Sequence, residues 1–241
     1  MAGRAPRHLI VNADDFGQTP GINRGIIEAH EHGIVSSASL MVRWPAAPEG
    51  AAYARRHRDL SLGLHVDFEE WMFRRGRWQP VYQVVPSNDL RAVRRALTSQ
   101  LDRFRRLVDC NPTHIDSHQH VHLQKRLRPL FLEFASRLNV PLRRCSRAVR
   151  YCGDFYGQDS HGRPCPSLIR PAALQRVLER LRPGITELGC HPGYGQGLKS
   201  MYRRERALEV KALCDPKIRT TVRRYGIVLR SFHDLGDAPR T

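Results

Sequence analysis

Apolar residues along this chain gather in seven short, mostly β-branched runs, at residues 9–12, 38–42, 62–66, 113–116, 141–143, 186–190 and 227–229. Runs of that length, bounded by turn residues, predict strands. Between most of them the apolar spacing changes to three or four residues. The clearest case covers residues 88–108, where Leu90, Val93, Leu97, Leu101, Phe104 and Leu107 share one face. Arg91, Arg94, Arg95, Arg103 and Arg106 occupy the other, which predicts an amphipathic helix resting on a core. Further helices are predicted at residues 126–138, 171–181, 203–213 and 216–225. Pro171 opens one of these at its first turn, and Gly226 follows the last where a helix end favours a left-handed residue.

Strands alternating with helices predict an α/β fold with a mainly parallel sheet. The chain has no internal repeat, low-complexity tract or linker, so one domain is expected over residues 1–241, with its core at about 8–235. Two stretches break the pattern. Residues 71–87 and 151–167 mix aromatic, glycine and proline residues and read as irregular loops over a site.

Composition changes this picture little. A hydrophobic fraction of 41% and a charged fraction of 26% are those of an ordinary folded chain. No run approaches the roughly 18 apolar residues of a membrane span. The first apolar run starts at Leu9, which leaves no place for a secretory leader, so a cytoplasmic location is expected. The six cysteines form no C-x-x-C pair and are expected to be reduced. The net charge of +17 comes from arginine, since only four of the 40 basic residues are lysine. These arginines are spread in pairs along the helices and read as a solvated surface, so no nucleic-acid partner is expected.

Candidate chemistry sits where the predicted strands end. The first runs into Asn12-Ala13-Asp14-Asp15-Phe16-Gly17, the third into Gly63-Leu64-His65 and the sixth into Cys190-His191-Pro192. The fourth runs into a segment holding His114, Asp116, His118, His120 and His122 within nine residues. The carboxyl ends of parallel strands converge on one face, so four strand ends bring carboxylates and imidazoles together. Asp14 and Asp15 alone could be a turn or helix cap, and His65 alone a packed histidine. The dense histidine cluster and the shared placement argue for a metal site, since neutral imidazole and carboxylate suit a divalent cation such as Mg or Zn. Adjacent strand residues face opposite ways, so Asp14 and Asp15 can share a site only if the strand breaks there, and Gly17 and Pro20 supply a break. His118 and His122 stand four apart and would share a face if their segment were helical, which leaves His122 a rival ligand. His114, Asp116 and His120 suit partners that hydrogen-bond a ligating imidazole. No nucleophile elbow, phosphate-binding loop or H-E-x-x-H helix is present.

The run from Leu9 to Gly17, the following Gly21-Ile22-Asn23-Arg24-Gly25-Ile26, Gly63-Leu64-His65, the run from Pro112 to His122 and Cys190-His191-Pro192 together resemble the YdjC-like carbohydrate deacetylases. That group includes the chitooligosaccharide and hopanoid-associated deacetylases. The resemblance extends from Leu9 to about Asp234. It implies a distorted (β/α) barrel, a metal held by Asp15, His65 and His118, Asp14 as catalytic base and His191 as general acid. It further implies an N-acetylated amino-sugar substrate and a homodimer. Trp71, Trp78, Tyr82 and Tyr156, in the irregular stretches, are candidates for stacking on sugar rings. The acidic, aromatic segment Val66-Asp67-Phe68-Glu69-Glu70-Trp71 departs from the family pattern, so the particular sugar stays open.

Overall fold

The computed structural model describes residues 5–235. The ends of the expected domain, residues 1–4 and 236–241, lie outside the described residues. Strand β1 (Arg7–Phe16) is the centre, and its residues from Leu9 to Phe16 are all buried. That continuous burial explains the unalternated Leu9-Ile10-Val11 run, as expected of a parallel strand covered on both faces. One edge of β1 pairs with β8 (Gly184–Cys190), and β8 pairs in turn with β7 (Val149–Cys152). The other edge is shared. Residues Arg7 to Ile10 pair with β9 (Ile227–Arg230), and residues from Asn12 onward pair with β2 (Ser37–Leu40). Beyond β2 lie β3 (Ser61–Val66) and β6 (Ile115–Ser117). The sheet has seven parallel strands in the order β6-β3-β2-β1-β8-β7, with β9 against β1. The edge strands β6 and β7 do not pair with each other, so the barrel is curled and open.

Helices α1 (Pro20–Glu31), α2 (Ala47–Arg56), α3 (Leu90–Val108), α4 (Arg128–Leu138), α5 (Pro171–Glu179), α6 (Arg204–Leu213) and α7 (Pro216–Arg224) cover the sheet. In α3 the buried face is Val93, Leu97, Gln100, Leu101, Phe104 and Val108, and Asp89 caps its start by accepting from the Ala92 amide at 2.9 Å. Leu90, the first residue of the helix, is exposed. Helix α1 can approach the turn after β8 only because two glycines meet there: a Cβ on Gly25 would lie 2.4 Å from the Gly193 Cα.

Three expectations need correction. Residues 141–143 form a single parallel bridge between Leu142 and Ile115 beside β6; Pro141 and the short run limit pairing there. The stretch 71–87 is largely ordered, because β4 (Glu69–Arg74) and β5 (Arg77–Gln83) make an antiparallel hairpin. Its Arg75-Gly76 turn takes positive φ at both residues, a hairpin turn whose composition carries little signal. The segment from 151 begins in strand β7, whose polar sequence hides its pairing to β8.

Candidate active site

The carboxyl ends of β1, β3, β6 and β8 surround a cleft of about 400 Å³. Asp14, Asp15, His65, His118, His120 and His191 all line it. Asp14 and Asp15 both reach the cleft because β1 carries an irregularity between Ala13 and Phe16, with Asp15 in the left-handed region at φ 70°. The break therefore comes at Asp15 itself, earlier than Gly17. The turn that follows is pinned by Asn23 on α1, whose Oδ1 accepts from the Gly17 amide at 2.7 Å and whose Nδ2 donates to the Ala46 carbonyl at 3.0 Å.

Asp15, His65 and His118 offer ligand atoms that lie within 4.8 Å of one another. Asp15 Oδ1 is 3.1 Å from His118 Nδ1 and 3.4 Å from His65 Nε2. The other ring nitrogen of His65, Nδ1, meets Asp116 Oδ1 at 2.8 Å, a partner that orients the ring and leaves Nε2 for the centre. His118 Nε2 is buried without a hydrogen bond, with Glu70 Oε2 3.5 Å away. Burial works against charged imidazoles, but the surrounding carboxylates outweigh it, raising His65 well above the usual range and His118 to about 10. A field that holds a proton this tightly favours any cation at the same place. The donor set of one carboxylate oxygen and two imidazoles thus fits a divalent ion.

A second group, Asp14, His65 and Asp116, is equally compact. It does not suit a cation, because Arg143 already sits there. Its guanidinium bonds Asp14 Oδ1 at 2.7 Å, Asp116 Oδ2, and Glu187 Oε1 through Nε at 2.7 Å. Burial would raise the Asp14 pKa, and Arg143, His65 and His191 together hold it below the ordinary value. Asn12 Nδ2 donates to the same Asp14 oxygen at 2.7 Å. The remaining oxygen, Oδ2, faces His191 Nε2 at 3.7 Å. His191 is kept largely neutral by burial, and its Nδ1 is buried with no hydrogen-bond partner.

The other expected residues separate cleanly. Gln119 and His120 both take left-handed backbone angles (φ 55° and 53°), so residues 118–122 are not one regular helical face. His120 enters the cleft, while His122 turns inward, bonds Ser117 Oγ at 2.7 Å and packs near Phe131. His122 therefore belongs to neither ligand group, because the backbone reverses between it and His118. His114 also lies outside the cleft. It hydrogen-bonds Ser39 and Thr113, packs on Phe232, and fills space beside Gly63, where a Cβ would come within 2.2 Å of its ring. Trp71, Trp78 and Tyr156 line the cleft, and Tyr156 stacks on Tyr202 with centroids 4.7 Å apart. Tyr82 does not: its hydroxyl donates to buried Asp67 at 2.7 Å, and its ring packs against Trp44.

Sequence reasoning missed Arg143, Arg206 and Glu209. Arg143 ends a strand-like run, level with the other strand ends, which was its one signal. Arg206 and Glu209 stand three apart on α6 and so share its inner face. Arg206 donates to Asp15 Oδ2 at 2.5 Å, and Glu209 Oε2 accepts from the His191 amide at 2.5 Å. Burial pushes Glu209 up to about 8.

The family model for YdjC-like protein matches residues 8–224. A carbohydrate deacetylase of Geobacillus stearothermophilus is 32% identical, covering 95% of this chain and 98% of its own. A chitooligosaccharide deacetylase of Serratia marcescens is also 32% identical, covering 94% and 98%. Among solved structures, an Enterococcus faecalis V583 protein described in terms of cellobiose-phosphate cleavage superposes with a TM-score of 0.77 at 25% identity, covering 96% of this chain and 99% of that one. A family 4 carbohydrate esterase from Streptomyces lividans shares the fold at a TM-score of 0.55 and 12% identity, covering 93% and 92%. With the strand-end motifs gathered in one cleft and the match running nearly end to end, this chain belongs to the YdjC-like family.

Proposed function

We propose that the protein is a metal-dependent hydrolase that removes the N-acetyl group from an amino sugar or its glycoside. The observation that carries this reading is the meeting of two units in one cleft: the Asp15–His65–His118 group, and Asp14 facing His191 at 3.7 Å. A protein that only bound sugar would not need an acid–base pair beside a cation site. The names of the curated relatives, carbohydrate and chitooligosaccharide deacetylases, support the same reaction class.

Asp15, His65 and His118 would hold the ion, which supplies a Lewis acid to polarise a carbonyl and make water more acidic. Asp14 is the base that takes the proton of the attacking water. Arg143 and Asn12 fix one of its oxygens, which leaves Oδ2 to point at the reacting centre. His191 delivers a proton to the departing nitrogen, so the products are acetate and the free amine. The proton that Asp14 takes from water passes to the neutral ring across the 3.7 Å between Asp14 Oδ2 and His191 Nε2, and that proton is the one delivered to the nitrogen. Trp71, Trp78 and Tyr156 present aromatic faces along the cleft for the sugar rings.

The test is acetate release from N-acetylglucosamine and its β-1,4-linked oligomers, with and without chelator, beside elemental analysis. Asp14→Asn should keep its metal and lose turnover. Chelator-resistant release, or an active Asp14→Asn, would overturn the assignment.

A further inference from the structure

Asp15 offers two carboxylate oxygens, and the structure gives them different partners. Oδ1 faces His65 and His118, whereas Oδ2 receives Arg206 Nη2 at 2.5 Å. Arg206 is 2% exposed, so the contact is poorly screened by solvent. Its other nitrogens are committed as well. Nε donates to the Tyr202 carbonyl at 2.9 Å, and Nη1 reaches the His191 carbonyl at 3.4 Å. The guanidinium carbon lies 5.8 Å from the centre of the Tyr202 ring. One planar fork therefore joins the candidate ligand Asp15 to the backbone of the candidate acid His191. Lysine has a single nitrogen and could not serve the three places together.

A cation beside a ligand that is itself paired with an arginine is costly on charge grounds. Two positive groups then share one carboxylate, and in a buried site their repulsion is poorly screened. A chain selected only for tight metal binding would place a neutral donor at this position. What the arginine provides is a carboxylate restricted to one oxygen and a weaker donation of charge to the ion. Both increase the pull of the ion on a carbonyl oxygen, and the first leaves a coordination place open for water or substrate.

We infer that Arg206 is a positioning residue that restricts Asp15 to one-oxygen ligation, trading metal affinity for electrophilic strength. This rests on the metal reading of the site. The experiment uses full-length protein stripped with chelator, then titrated with Zn(II) against a chromophoric competitor, for wild type, Arg206→Gln and Arg206→Lys. Arg206→Gln removes the charge, and its shorter side chain frees Asp15 Oδ2, so it should bind Zn(II) about tenfold tighter or more, while Arg206→Lys, still charged, should stay near wild type. The visible spectrum of the Co(II)-loaded proteins should weaken in Arg206→Gln as both Asp15 oxygens coordinate. Its kcat for acetate release should fall even at saturating metal. Thermal melting of the stripped proteins identifies any variant that fails to fold.

Zn(II) affinity that is unchanged or weaker in Arg206→Gln, with an unchanged Co(II) spectrum, would show that Arg206 merely braces α6. If the wild type binds neither ion, this inference and the metal reading fail together. If the wild type binds metal and releases acetate but Arg206→Gln gains no affinity, only the role of Arg206 fails.

Discussion

Arg143 is the buried charge that holds the candidate base Asp14 together with Asp116 and Glu187, and its removal has a calculable consequence. Asp14, Asp116 and Glu187, each at most 2% exposed, converge on its guanidinium. Arg143→Met keeps much of the side-chain volume and deletes the only arginine among the described residues that is bonded to these three carboxylates. Stranding a buried charge by removing its partner costs about 3–5 kcal/mol. For a chain of this size each kcal/mol lowers the melting temperature by roughly 2–4 °C, so a drop of about 6–20 °C is expected at neutral pH. The pH dependence sharpens the test. In the wild type Arg143 helps hold Asp14 and Asp116 below their ordinary values, so their contribution to stability is present above about pH 4 and lost on acidification. Without Arg143, burial raises those carboxyls, and Glu187 is raised already. They would then ionise at a cost as pH rises. The difference in unfolding free energy between wild type and variant should therefore grow from pH 5 to pH 8, measured by urea denaturation. Acetate release by the variant should also lose its plateau near neutrality, as Asp14 becomes protonated more readily. A loss below about 1 kcal/mol that does not change with pH would refute the network argument.

Other perturbations separate the remaining roles. Asp116→Asn leaves His65 Nδ1 without its carboxylate and should weaken metal binding about 10–100-fold by competition titration while preserving the fold. His114, lowered to about 3 by burial, stays neutral when folded, whereas the unfolded chain protonates near its ordinary 6.5. It therefore draws stability away as pH falls from about 6.5 to 3, by at most about 1.4 kcal/mol per unit; His114→Gln should unfold with a shallower acid dependence, by about one proton. Trp71→Ala and Trp78→Ala should raise KM for oligosaccharides by roughly 5–150-fold, with kcat little changed, if each ring stacks on a sugar and contributes about 1–3 kcal/mol. A fall in kcat at constant KM would instead assign those rings to the hairpin's own packing.

Much of the candidate site was legible in the sequence because it is local. Asp14, Asp15, His65, His118 and His191 each lie at or just past the end of a buried strand, and the parallel topology implied by strand–helix alternation carries such ends to one face. The amphipathic face of α3 was legible for a similar reason, since its period needs no knowledge of a partner. Other features depend on what a segment packs against. His118 and His122 are equivalent by spacing, and only the left-handed backbone at Gln119 and His120 separates them. The hairpin β4–β5 takes its order from cross-strand pairing in a sequence with no alternation, and Tyr82 is drawn from the cleft by Asp67, fifteen residues away. Arg143 and Arg206 lie 129 and 191 residues from the carboxylates they bind, so no spacing rule could pair them. The strand ends and their chemistry follow from the chain's own pattern. The counter-charges that set Asp14 and Asp15 apart, Arg143 on the one and Arg206 on the other, follow only from folding, because burial forces each carboxylate to find its partner wherever the chain can supply one.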